Sequence, residues 1–284
     1  MTSVYDMNPK SILFSPGDRP DMLRKGLECG PDILVFDLED SVSQHRKDQA
    51  RKTVYQILLE TTNSSPKVAV RVNSGPEAQI DFRSLDGAPI DAVMLPKVDN
   101  TRDIEMVHSL LDENSLDCPI IALIETAEGV LNAPSIASQD ATSALAFGAE
   151  DFIVDIGANL STGTAKLDYP RARMVLAAKA AGVSVVDSVV TNYKDIGKLK
   201  RESELAAELG FDGKLAIHPA QVDTINEIFT PGQDMIEWAT EVLTAADDLG
   251  VDGTGAFGFD GDMIDKPKLV QARQILDSAE IDFE

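Results

Sequence analysis

IIALIETAEGVLNAPSIASQDATSALAFGAED, residues 120–151, carries the pattern on which the fold turns. Two apolar runs, Ile120–Ile124 and Ala144–Gly148, each break off at carboxylates, Glu125 after the first and Glu150 and Asp151 after the second. Neither run alternates strictly between apolar and polar, which is the pattern of a parallel strand buried on both faces. Working outward, the same kind of run recurs upstream at Ser11–Phe14, Ile33–Asp37, Val68–Val72 and Ala92–Leu95, and downstream at Ser184–Asp187 and Leu215–Ile217. Between the runs lie segments with helical spacing and helix formers, among them Pro20–Cys29, Gln44–Leu59, Arg102–Leu111, Pro170–Ala181 and Ser203–Leu209. Eight strand-then-helix units predict an α/β protein with a TIM-type (β/α)8 barrel over residues 1–230. An open doubly wound sheet is the structural alternative. No GxGxxG follows the first run, so a dinucleotide site is not indicated.

Beyond the barrel, Thr230-Pro231-Gly232 interrupts the pattern. A helix over Gln233–Leu249, a glycine-rich stretch from Gly250 to Gly261 and a last helix over Pro267–Ser278 follow. Residues 231–284 are too long for a frayed end and too short for a second domain, so they read as a C-terminal helical lid or oligomerisation arm.

Composition narrows the function. Hydrophobic residues make up 43% of the 284, enough for a core. No run of about 18 apolar residues exists, and Met1 to Lys10 lacks a secretory signal pattern, so neither membrane insertion nor export is expected. Two cysteines, Cys29 and Cys118, give no disulfide framework and no zinc spacing; the expected compartment is a reducing cytoplasm. With 48 acidic and 25 basic residues the net charge is −23, a surface that repels nucleic acid and anionic membranes. Such an acidic surface also fits a halophilic host, a reading that stability independent of molar KCl would remove. An anionic ligand needs a local basic cluster to bind such a protein.

Barrel active sites form where strands end. The ends here read Phe14 to Arg19, Asp37 with Glu39 and Asp40, Arg71 with Asn73, Pro96-Lys97, Glu125-Thr126, Glu150-Asp151 and His218-Pro219. One carboxylate at such a place is usually a cap or a surface ion pair. Several on one rim raise one another's pKa unless a cation compensates, and a hard divalent ion is the economical compensation. Glu125 and Asp151, from adjacent strands, would ligate one ion, and Arg71 would face a substrate oxygen that becomes negative. Asp37, Glu39 and Asp40 read as partners behind the ligands. His45 and His108 read as surface helix residues, Cys29 as a core residue, and Lys97 as a charge balancing the acids rather than a Schiff-base former. Tyr169-Pro170-Arg171 reads as the opening of a helix.

At these residues the chain resembles the citrate lyase beta subunit family and its malyl-CoA and citramalyl-CoA lyase relatives. The matching pieces are LFSPGDRPDML (13–23), FDLEDSV (36–42), RVN (71–73), LPKV (95–98), LIETAEGV (123–130), FGAED (147–151), AIHPAQV (216–222) and GAFGFDGDMIDKP (255–267), in order through nearly the whole chain. The resemblance implies a barrel of the phosphoenolpyruvate/pyruvate superfamily, assembled as a homotrimer or hexamer. It implies Mg²⁺ on Glu125 and Asp151, Arg71 at the thioester or enolate oxygen, and Asp265 as a general acid/base reaching a neighbouring subunit from a swapped lid. For coenzyme A it points to Phe14, Arg19, Arg24 and Lys25 in and after the first loop, and to His218 and Pro219 in the last; Asp21 departs from relatives that carry a basic residue there. The implied reaction is cleavage or formation of a C–C bond in a short hydroxyacyl-CoA such as malyl-, methylmalyl- or citramalyl-CoA, giving acetyl- or propionyl-CoA plus glyoxylate or pyruvate. Three alternatives share the site: a malyl-CoA thioesterase, the beta subunit of a multi-subunit citrate lyase working on a carrier-protein thioester, and a metal-dependent aldolase on free oxo acids. The last branch characteristically carries a histidine after the strand-2 acidic pair, where this chain has Asp40.

Overall fold

The computed structural model describes residues 7–61, 66–159, 165–250, 255–279, 281 and 283. Residues 1–6 of the amino-terminal segment and 251–254 of the glycine-rich stretch lie outside them. The chain divides into two compact units, Met1–Glu227 and Ile228–Glu284.

The first unit alternates strands and helices. In chain order it contains β1 (Ser11–Pro16), α1 (Pro20–Leu27), β2 (Ile33–Asp37), α2 (Lys47–Glu60), β3 (Lys67–Arg71), α3 (Pro76–Ser84), β4 (Ala92–Leu95) and α4 (Thr101–Glu113). It continues with β5 (Ile120–Ile124), α5 (Ala127–Ala137), β6 (Thr142–Phe147), α6 (Ala149–Asp155), α7 (Asp168–Ala181), β7 (Ser184–Asp187), α8 (Ile196–Leu209) and β8 (Gly213–Ala216), and α9 (Val222–Phe229) begins within it. The eight strands pair in sequence order and close, β1 being parallel to both β2 and β8. A closed parallel barrel rules out the open sheet. The sixth strand begins at Thr142, earlier than its apolar run, because the two leading hydroxyls are satisfied inside the fold. Thr142 Oγ1 donates to Ile136 O at 3.0 Å and Ser143 Oγ to Ile120 O at 3.4 Å. The eighth begins at Gly213, where a Cβ would stand 2.1 Å from Pro9 O, so only glycine lets the strand pass the amino-terminal segment.

The barrel lumen is filled by side chains two residues apart on each strand. Ile12, Ile33, Val35, Ala69, Met94, Ile121, Leu123, Ala146, Val186 and Leu215 form one buried cluster. Burying each large aliphatic side chain contributes about 1.5–3 kcal/mol. Strand periodicity then fixes what comes next. Two residues beyond Ile12, Val35, Ala69 and Leu123 stand Phe14, Asp37, Arg71 and Glu125, so the same inward face that is apolar in the lumen becomes polar at its carboxyl-terminal mouth. Phe14 and Val189 pack on the apolar cluster from above, half-buried.

The second unit contains α10 (Gln233–Asp248), β9 (Phe257–Phe259), β10 (Asp262–Ile264) and α11 (Lys266–Ser278). Its core is Ala239, Val242, Leu243, Ala246, Ile264, Leu269, Ala272, Ile275 and Leu276. The glycine-rich stretch therefore includes an antiparallel hairpin, with Met263 paired to Gly258. Its turn is Asp260-Gly261, both with positive φ (46° and 84°), the backbone signs of a tight I′-type hairpin turn. Asp265 caps α11, its Oδ1 accepting from the Lys268 N–H at 3.3 Å.

Candidate active site

The mouth of the barrel is organised by a fork between adjacent strands. Asp37 and Arg71 end β2 and β3 and stand opposite each other in register. Arg71 Nε and Nη2 each donate to one Asp37 oxygen at 2.7 Å, a bidentate pair that fixes the guanidinium plane. Asp37 also accepts from the Glu39 N–H (2.9 Å) and the Ser41 N–H (3.1 Å), which folds the following loop back over the strand end. Burial alone would raise the Asp37 carboxyl, but Arg71 and these donors hold it below its ordinary value. Burial works against the Arg71 charge as well, yet Asp37, Glu39 and Asp40 raise its pKa, so it stays a cation. Its guanidinium carbon lies 4.9 Å from the centre of the Phe14 ring, which floors the site. Gly17 brings the first loop against this corner: its N–H donates to Asp37 O at 2.8 Å, and a Cβ there would lie 2.7 Å from the same oxygen.

Glu39 joins the fork to the fourth strand. Its Oε2 lies 3.0 Å from Arg71 Nη1 but lacks the alignment of a hydrogen bond, so this buried oxygen remains unsatisfied. Its Oε1 accepts from Lys97 Nζ at 3.2 Å. Burial pushes Glu39 above its ordinary value; Arg71 and Lys97 oppose the push and Asp40 adds to it. Asp40 is exposed and stands 4.0 Å from Arg71 Nη1. Behind the loop, Lys47 at the start of α2 is buried and donates to Leu38 O (2.9 Å), Glu39 O (3.1 Å) and the Asn73 side chain. Nothing in the sequence singled out Lys47 for this anchoring role, since a lysine in a first helical turn is usually solvated.

Glu125, buried, faces the same space from β5. Its Oε1 accepts from the Lys97 N–H at 2.9 Å. Opposite it, Gly148 leaves the room that Glu125 occupies: a Cβ on Gly148 would stand 2.6 Å from Glu125 Oε2 and 2.7 Å from its Cβ. Burial, then the Glu39 and Asp151 carboxylates, push the Glu125 carboxyl up to about 7. Asp151 is exposed in the first turn of α6. The loop carrying Glu125 is anchored by Thr126, whose hydroxyl donates to Asp99 and accepts from the Gly129 N–H at 3.0 Å.

Among the described residues no group of three or more His, Cys, Asp and Glu is placed to enclose a metal ion. Two hard oxygen donors, Glu125 and Asp151, in a cluster whose acids outnumber its cations, fit a divalent ion that draws its remaining ligands from water and substrate. Burial first, and then the neighbouring Glu39 and Asp151 charges, leave the Glu125 carboxyl raised where an ion could offset them.

The remaining candidates of the first unit make their described contacts with other residues. Arg19 stands just ahead of α1 without a side-chain capping bond and pairs with Asp21 at 3.5 Å, exposed. Arg24 pairs with Glu60 at 2.8 Å; Glu60 ends α2, so this contact lies toward the helix ends remote from the strand-end rim. Lys25 is exposed on the same helix. His218 accepts through Nδ1 from the Ala220 N–H at 3.1 Å, just ahead of Pro219, and stacks on Tyr193 with ring centres 4.3 Å apart and planes 11° apart. Tyr193 was not among the sequence candidates, and only its place in the loop after a strand could have flagged it. Asp265 belongs to the second unit.

Three comparisons with known proteins bear on this geometry. The family model described as HpcH/HpaI aldolase/citrate lyase matches residues 10–219. The mitochondrial citramalyl-CoA lyase of Mus musculus is 33% identical over 286 residues, covering 94% of this chain and 85% of that protein. The (3S)-malyl-CoA thioesterase of Cereibacter sphaeroides is 33% identical over 274 residues, covering 95% and 94%. A crystal structure of CitE from Mycobacterium tuberculosis in complex with magnesium, acetoacetate and coenzyme A superposes with a TM-score of 0.79 at 32% identity, covering 95% of this chain and 98% of that one.

Proposed function

Because the chain belongs to the HpcH/HpaI aldolase/citrate lyase family, we propose that it is a Mg²⁺-dependent carbon–carbon lyase acting on a short hydroxyacyl-CoA. The observation that carries this reading is the inward-facing Arg71–Asp37 fork beside a buried Glu125 whose carboxyl is pushed up to about 7. Such a site is short of positive charge in its resting form and holds a fixed cation ready for an oxygen that becomes negative. The relatives above supply the substrate class: one acts on citramalyl-CoA, and another holds magnesium and coenzyme A.

In this reading Glu125 and Asp151 hold the ion. A bound Mg²⁺ supplies Lewis-acid charge at the oxygens of the 2-oxo acid. In the condensing direction Asp265, supplied by the swapped lid of a neighbouring copy, takes a proton from the carbon next to the acyl thioester carbonyl. The N–H groups of Arg71 left over from the Asp37 fork stabilise the enolate oxygen, and the enolate carbon attacks the keto carbon of the acid. The keto oxygen takes up that proton as it becomes the product hydroxyl; in cleavage the hydroxyl gives up its proton, the C–C bond breaks, and Asp265 returns a proton to the enolate carbon. Phe14 keeps water from the underside of Arg71, which strengthens the guanidinium's hold on that oxygen. Removing Asp265 as alanine is expected to lower turnover by about 10²–10⁴-fold, the usual worth of a positioned proton carrier, with the barrel still folded. Wild-type turnover in that variant removes Asp265 from the mechanism.

A thioesterase is the second reading, favoured by the equal identity to the malyl-CoA thioesterase. The test incubates the protein with malyl-CoA and citramalyl-CoA and Mg²⁺ at low and high KCl, and identifies products by mass. Acetyl-CoA with glyoxylate or pyruvate, lost on adding EDTA, establishes the lyase and names its acid. Free CoA with malate or citramalate establishes the thioesterase. No turnover of either overturns both and points to a carrier-bound thioester.

A further inference from the structure

Lys97 is one of three non-glycine residues with positive φ among the described residues, at 53°. A side chain makes this left-handed conformation costly, and it persists only where the surroundings impose it. Here they do. Ahead of it stands buried Pro96, which has no N–H to give. After it, the Val98 N–H donates to Leu123 O on β5 at 3.2 Å, and Val98 O is pressed so close to α5 that a Cβ on Gly129 would lie 2.4 Å away. The turn is therefore pinned on both sides, and its conformation aims the Lys97 N–H at Glu125 Oε1. Glycine would meet the backbone requirement at lower cost. What lysine adds is an ammonium that reaches Glu39 Oε1 at 3.2 Å while its side chain stays 44% exposed. One residue thus holds two buried carboxylates by two different atoms. Glu39 needs such a restraint, because its Oε2 has no hydrogen-bond partner although Arg71 is near.

We propose that Lys97 is a positioning residue that keeps Glu39 and Glu125 apart, its ammonium holding Glu39 on the arginine side so that Glu125, and not Glu39, meets the divalent cation. The inference rests on the metal-dependent reading above. A third carboxylate admitted to the ion would occupy a position that the 2-oxo acid needs. Lys97 acts through these carboxylates rather than on the substrate.

The test is Mn²⁺ binding to the intact protein without acyl-CoA, followed by the electron paramagnetic resonance of free Mn²⁺ at fixed ionic strength. With Glu39 released, Lys97→Met is expected to bind Mn²⁺ about tenfold more tightly, since one more carboxylate ligand raises affinity. The same change should raise KM for the 2-oxo acid. In a Glu39→Gln background the Lys97→Met effect on Mn²⁺ is expected to shrink below about twofold, the mark of two residues acting as a unit. Lys97→Gly should repeat the Mn²⁺ result with a higher thermal midpoint, because it relieves the positive φ, and it serves if the methionine variant does not fold. Weaker Mn²⁺ binding in either variant overturns the proposal, and so does a gain that persists in the Glu39→Gln background, which would be plain loss of a nearby charge. Wild-type turnover of acyl-CoA without this Mn²⁺ pattern sinks the inference alone. The pattern without turnover sinks the lyase reading and leaves Lys97's role standing.

Discussion

Two strand pairs in this barrel end in the same kind of ion pair and face opposite ways. On β2 and β3, Asp37 points into the mouth and takes the Arg71 fork. On β7 and β8, Asp187 follows the inward Val186 and so points outward, where Arg171 of α7 grips both its oxygens at 3.0 and 3.1 Å and Lys214 reaches it at 2.5 Å. The outward cluster is sealed, with Arg171 1% and Asp187 and Lys214 0% exposed. Its two cations surround one acid, with Glu202 4.0 Å from Arg171, and Asp187 is held below its ordinary value by both cations against the opposing effect of burial. The inward cluster has Arg71 and Lys97 against Asp37, Glu39, Asp40, Glu125 and Asp151, and there Glu125 is pushed up to about 7. A buried charge set that balances itself is a brace. One left short of positive charge is a site waiting for a cation or for a charge that forms during a reaction.

The sharpest way to break this contrast is Asp187→Asn, which leaves two cations buried around an amide. It is expected to cost about 3–5 kcal/mol of stability in urea unfolding, while activity per folded molecule is kept. A loss of turnover with full stability would place Asp187 in the site instead of the frame. Next in size, Arg71→Lys keeps the charge and loses the fork, so kcat/KM should fall by about 10²-fold with little change in the unfolding midpoint. Near-normal kcat/KM would mean that the fork is as structural as its outward counterpart. Smaller again, Gly148→Ala puts a methyl where Glu125 stands; Mn²⁺ affinity is expected to drop by about tenfold or more, from an overpacking strain of about 1–3 kcal/mol. Unchanged affinity would detach Glu125 from the ion.

The mildest effect is in pH. A carboxyl raised to about 7 is protonated below that value, so metal-free protein binds more protons folded than unfolded and loses the associated stability as pH rises from the ordinary carboxylate range through 7. Divalent-ion binding needs the carboxylate and runs the other way, weakening by up to about tenfold per pH unit below 7 and levelling above it. A binding curve flat from pH 5 to 8, a window of about one to two units either side of that value, would contradict the contrast between the two clusters.

Much of this is legible in the amino-acid sequence itself. Parallel strands buried on both faces announce themselves as apolar runs, and the residue that ends such a run falls at the mouth, which is how Arg71, Glu125 and Asp37 could be named. Direction is harder. Asp37 and Asp187 end runs of the same appearance, and only the parity of the strand, Val35 inward but Val186 also inward one residue earlier, separates site from brace. The reach of helix α1 was equally hidden: the resemblance offers Arg24 for coenzyme A, and the helix brings it to Glu60, a pairing no local signal marks. The left-handed turn at Lys97 is imposed by packing from β5 and α5, remote in sequence, so no local signal marks it. The hairpin at Asp260-Gly261 did have a signal, an aspartate-glycine pair between the short runs Phe257–Phe259 and Asp262–Ile264, and its glycine-rich surroundings masked it.

The sealed Asp187 brace has one more consequence, for how this barrel can change over generations. The loop that opens the β7 side of the mouth starts at Ser188, immediately after the brace, and contains Val189 beside the lumen and Tyr193 against His218. Ser188 and Val190 are buried with the frame, but from residue 191 on the loop is exposed, so changes there touch β7, β8 and α7, locked together beneath it, the least. It is the stretch where drift or laboratory selection can try new side chains around a substrate at the least risk to the scaffold.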